Sequence, residues 1–119
     1  MLTMEQITQL ALGFPDVVEV ERRGNRAWNL GNKCVAWERP FTKADLKRFG
    51  AEPVPAGEIL AVRVADLHEK EAVLAQPPKG FFTISHFDGW PAVLIQLRVA
   101  TRKPVRDALL DAYRWAGGQ

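Results

Sequence analysis

Hydrophobic and polar positions change period several times along the chain. Ile7, Leu10, Ala11 and Phe14 recur at helical spacing behind Thr3-Met4-Glu5-Gln6, a capping-box pattern whose hydroxyl and amide satisfy free backbone donors at a helix start. Pro15 ends that helix. From Val17 the period shortens to two: Val18 and Val20 alternate with Glu19 and Glu21, as in a half-exposed strand. Arg22 to Arg26, centred on Gly24-Asn25, reads as a turn. Trp28 and Leu30 then alternate with Asn29, Gly31-Asn32-Lys33 reverses the chain, and Val35 and Trp37 alternate with Ala36 and Glu38. The pattern predicts a three-strand meander closed by Pro40.

Thr42 opens a short helix, Lys43 to Phe49, whose Leu46 and Phe49 are expected to touch the core while Lys43, Lys47 and Arg48 face water. Gly50 stops it, and residues 51 to 58 read as a loop. Ile59 to Val64 is an apolar strand, and Asp66 with Glu69 starts a helix carrying Leu67 and Leu74 that Pro77-Pro78 terminates. A last hairpin is predicted, with Phe81 to Phe87 as one arm, Asp88-Gly89 at the turn and Ala92 to Val99 as the other arm. The final helix has Pro104 in its first turn and repeats Val105, Ala108, Leu109, Ala112 and Ala116 every three or four residues. This order predicts a single α+β domain over residues 1–119, a mostly antiparallel sheet with helices packed on one face.

Composition adds exclusions rather than identity. Hydrophobic residues at 47% and charged residues at 25% suit one globular core, not a disordered or fibrous chain. The single cysteine, Cys34, excludes an internal disulfide framework, which favours the cytoplasm. Met1 to Gly13 lacks the features of a signal peptide, and no apolar stretch approaches the roughly 20 residues of a membrane span. No membrane association is expected.

Three stretches carry a resemblance. Arg23-Gly24-Asn25-Arg26-Ala27-Trp28 running into Ala36-Trp37-Glu38-Arg39-Pro40-Phe41, then Leu60-Ala61-Val62-Arg63-Val64-Ala65-Asp66-Leu67, then Phe81-Phe82-Thr83-Ile84-Ser85-His86-Phe87-Asp88-Gly89 resemble the MmcQ/YjbR family over almost the whole chain. The resemblance implies a small bacterial cytoplasmic domain of the secretion-chaperone-like α+β group. It also implies the label "DNA-binding" that many such proteins carry, though with no established set of functional residues. The His86-Phe87-Asp88-Gly89 and Trp37-Glu38-Arg39-Pro40 segments mark one subgroup.

Charge counted by segment points the same way. The formal net charge is only +2, yet residues 22 to 49 hold eight basic and two acidic side chains, whereas residues 1 to 21 hold four acidic and none basic. Arg22, Arg23, Arg26, Lys33 and Arg39 fall on turns and strand ends of the meander, and Lys43, Lys47 and Arg48 on the adjoining helix. Trp28 and Trp37 come from the same meander. Guanidinium groups neutralise phosphates and indole faces stack bases, so this block is the candidate DNA surface. The competing reading makes both indoles core residues and the basic helix face merely solvated.

A second constellation is His86, Asp88 and Trp90. His and Asp two apart on an extended strand share a side, where a carboxylate can orient an imidazole as a base, but no nucleophile accompanies them. Their plainer role is to finish a strand and make a turn; the alternative function is ligand binding by a protein or small-molecule interaction module. Phe81, Phe87, Trp90 and Leu94 would then supply its apolar patch. His68, His86 and Cys34 fall in separate elements without ligand spacing, so neither metal nor cofactor is expected, and no catalytic residue is assigned.

Overall fold

The capping signals fix the helix starts. In a computed structural model describing residues 1–119, helix α1 (Met4–Leu12) carries the full reciprocal box between Thr3 and Gln6, and α2 (Lys43–Phe49) carries one between Thr42 and Asp45. Helix α3 (Leu67–Ala75) is capped by the Asp66 carboxylate, which accepts from the Glu69 N–H at 2.8 Å. Helix α4 (Arg102–Trp115) is the longest, with Pro104 in its first turn. No helix is long and apolar enough to cross a membrane.

Six strands, β1 (Val17–Arg22), β2 (Asn25–Leu30), β3 (Lys33–Glu38), β4 (Ile59–Arg63), β5 (Phe81–Phe82) and β6 (Ala92–Gln96), form one antiparallel sheet in the order β1-β2-β3-β4-β6-β5. The molecule is an α+β fold. The turn between β1 and β2 is a two-residue loop in which Arg23 and Gly24 both take positive φ, 52° and 82°, the backbone shape that matches strand twist in a tight hairpin.

The two faces of the sheet have different fates. Trp28, Ala36, Val62 and Val93 align across four strands, and with Ile7 and Ala11 of α1 and Val105, Leu109 and Ala112 of α4 they form the main core. Val73 and Leu74 of α3 pack on the same core. On the opposite face Trp37, Ala61, Leu94 and Phe82 align, and Ile59, Ala61, Phe87, Ala92 and Leu94 form a smaller cluster. Phe41 packs there and meets Phe49 edge to face at 5.3 Å, so α2 belongs to this second face, apart from the other helices.

The glutamate side of β1 faces α1: Glu19 pairs with the buried Trp28, while Val18 is exposed. Three expectations are corrected. Alternation in β3 is broken by a bulge. Trp28 pairs with Ala36 but Asn29 with Cys34, so Val35 is an extra residue turned into the main core, and Cys34 joins Trp37 on the other face. The predicted arm Phe81 to Phe87 is a strand only over Phe81–Phe82, because Ser85–Phe87 winds into a 3-10 turn that drives Phe87 into the smaller cluster. Finally, Leu46, expected to touch the core, is exposed, and so is Leu67 on α3. The buried side chains of their helices are Asp45 and Lys70, each provided with polar partners.

Candidate functional site: a basic, indole-lined groove

The second face is only partly covered, and the uncovered part is a groove of about 1310 Å³. Its floor comes from the β1–β3 meander, where Val20, Asn29, Cys34 and Trp37 turn outward. One wall is the Glu38-to-Thr42 segment with Arg48, and the other is the 86–90 loop. Arg63, the last residue of β4, and Trp115, in the last turn of α4, also line it.

The two constellations suggested by the sequence therefore meet in one place. Arg22, Arg23, Lys33, Trp37, Arg39 and Arg48 share the groove with His86, Asp88 and Trp90. Four members of the basic block stand apart. Trp28 is completely buried and offers no face to a base; its indole N–H donates to Glu19 Oε1 at 3.1 Å. Arg26 is engaged by Glu5 at 2.7 Å and Glu38 at 3.3 Å, and these two partners raise its already high pKa. Lys43 and Lys47 are exposed on α2 but do not line the groove.

The remaining cations divide into held and free. Arg39 donates to Asp45 Oδ2 at 2.8 Å and to the Pro40 carbonyl at 2.7 Å, with its guanidinium 5.4 Å over the Phe87 ring. It ties α2 to the second face. Burial pushes the Asp45 carboxyl up, but the Thr42 N–H and the Arg39 guanidinium outweigh it and leave the pKa below the usual carboxylate value. Arg22, Arg23, Lys33 and Arg63 have no carboxylate within ion-pair distance. Arg22 lies 5.6 Å over Trp37, and Arg63 and Lys33 lie 4.1 and 5.1 Å over the Trp115 ring. The Arg63 Nε–H donates to the Val64 carbonyl at 2.9 Å, and the remaining guanidinium N–H groups of Arg22 and Arg63 have no carboxylate partner, as suits an anion site. Against these stand the carboxylates of Glu21, Glu38 and Asp88, of which Glu38 is already bound to Arg26.

The 86–90 loop is fastened from below. Lys70 is buried, and its ammonium donates to the carbonyls of Phe87 at 2.6 Å and Trp90 at 2.8 Å. Burial lowers the Lys70 pKa, and Asp88 opposes the shift. His86 and Asp88 sit in the 3-10 turn and at its end, so the strand alternation expected to align them does not apply. Both are exposed at the groove. The expected aromatic patch does not form: Phe81, Phe87 and Leu94 are buried, and Trp90 alone is exposed, at 52%. Cys34 is half-buried on the floor, where burial pushes its thiol pKa up against the opposing effect of Arg22.

Arg63 and Trp115 are two groove residues outside the candidates the sequence offered. The available signals were slight. Arg63 is the one charge in an otherwise apolar run, and Trp115 follows the last buried turn of an amphipathic helix.

Fold and groove together define a small α+β domain with a basic, indole-lined face. No family model matches the chain, and no solved structure matches it. It is 37% identical over 116 residues to uncharacterized proteins of Mycobacterium bovis (Mb2600) and Mycobacterium tuberculosis (Rv2570), covering 95% of this chain and 87% of each relative. The chain belongs to the family of these mycobacterial proteins.

Proposed function

We propose that the protein is a non-catalytic DNA-binding domain that takes the phosphate backbone along this groove. The observation that carries the reading is the convergence of Arg22, Arg23, Lys33 and Arg63 on one concave face, all without ion-pair partners and three of them lying over indole rings. Free cations displace condensed counterions from a polyanion, whereas cations already paired to carboxylates do not. The resemblance to the MmcQ/YjbR family supports the same reading, and the solitary Cys34 supports a cytoplasmic setting.

Contacts of this kind give affinity without sequence choice. The test is a fluorescence titration of labelled DNA at several salt concentrations. The logarithm of affinity should fall linearly with the logarithm of salt, with a slope of roughly 0.7 to 0.9 per phosphate neutralised. Absence of binding to any DNA at low salt would falsify the proposal.

A further inference from the structure

We infer that the groove takes a single strand rather than a duplex, with Trp90 as the platform on which an unpaired base stacks. The inference rests on the DNA-binding reading and narrows it. In a duplex the base faces are covered by one another, so an indole on a groove wall has nothing to stack on; an unpaired strand exposes a π-face at every nucleotide.

The placement of side chains favours the strand twice over. Trp37, Trp90 and Trp115 all line the groove, and the cations Arg22, Lys33 and Arg63 lie within 4.1 to 5.6 Å of Trp37 or Trp115. Phosphate partner and base partner are therefore neighbours inside one concavity, as they are along a strand. The outer phosphates of a rod would instead be met by cations on a ridge or a flat face.

Trp90 is distinguished from the other two indoles because no cation is stacked on it and it is the most open. It is nevertheless not loose. Its carbonyl and that of Phe87 are held by the Lys70 ammonium, and the Phe87 ring is sunk in the smaller core. An exposed aromatic side chain on an anchored backbone loses little freedom on binding, which is the property of a preorganised contact.

The experiment compares a labelled oligothymidine strand with a duplex of the same length at low salt, with thymidine monophosphate as competitor. The strand should bind at least about tenfold more tightly than the duplex, and the mononucleotide should fail to displace it. Trp90→Ala should weaken strand binding by at least about fivefold. Trp90→Phe, which keeps a π-face, should retain most of the affinity, and far-UV circular dichroism checks that both variants fold. Duplex binding as tight as the strand's, or a Trp90→Ala variant with unaltered strand affinity, overturns the single-strand inference while leaving the groove as a DNA site. Displacement by the mononucleotide at matching concentrations also overturns it, in favour of a free nucleotide. If neither form of DNA binds, the broader reading fails.

Discussion

Glu19 lies on an edge strand but serves the interior. Its Oε1 accepts the indole N–H of Trp28, the largest fully buried side chain, at 3.1 Å, and the Thr8 hydroxyl at 3.4 Å. A buried donor without an acceptor costs about 1–3 kcal/mol, so Glu19→Ala should lower unfolding stability by that order. Glu19→Gln keeps an acceptor oxygen and should cost less. Urea unfolding of the two variants checks the ordering, and equal losses would mean that the carboxylate matters through charge alone. The same residue shows what the strand pattern leaves open. Alternation of valine and glutamate states the period of β1 but not which side faces inward, and hydrophobicity picks the wrong side here. The indole N–H needs a partner, and Val17 and Leu30, paired across the strands, already fill that end of the main core.

At the scale of elements, the helices were the most legible part of the chain. The capping box at Thr3, the helix start at Thr42 and the apolar stripe of α4 are local chemistry and appear where the sequence places them. The bulge at Val35 and the 3-10 turn at Ser85–Phe87 were not legible, because both arise from tertiary demand: one more side chain for the main core, and one phenylalanine for the smaller one. Helix α3 shows the same limit. Its sequence is polar enough to pass for a solvated helix, yet it buries Lys70 to fasten the groove loop. Lys70→Met should destabilise the protein by about 1–3 kcal/mol at neutral pH, since two carbonyls lose their donor. Burial lowers the Lys70 pKa below the 10.5 of the unfolded chain, so between those values the unfolded state binds more protons and stability rises with pH. The advantage of the native protein over Lys70→Met should therefore widen as pH climbs from neutrality toward 10.5. Chemical denaturation across that window measures it, and a constant difference would mean that Lys70 titrates alike in both states.

At the scale of the whole molecule, a formal charge of +2 hides a division. From the acidic first segment Glu5 takes Arg26 out of the basic block, and within the block Asp45 takes Arg39. Of the cations left unpaired, Arg22, Arg23, Lys33 and Arg63 gather in the groove, drawn from the β1–β2 turn, the start of β3 and the end of β4, while Lys43 and Lys47 stay outside it on α2. Segment counting found the first two of these sources because they are close in sequence. It missed Arg63 because only the antiparallel register of β4 against β3 brings that residue beside them. Position rather than total charge is thus the property to test, and two double variants that each remove two positive charges separate the two. Arg22→Ala with Arg63→Ala strips the groove, whereas Lys43→Ala with Lys47→Ala strips the exposed face of α2. If DNA lies in the groove, the first pair should reduce the salt slope of binding by about two, and the second should leave the slope and most of the affinity intact. Equal losses from both pairs would instead assign the attraction to the long-range field of the molecule, which acts without a defined groove and is screened beyond roughly 10 Å at 0.1 M salt.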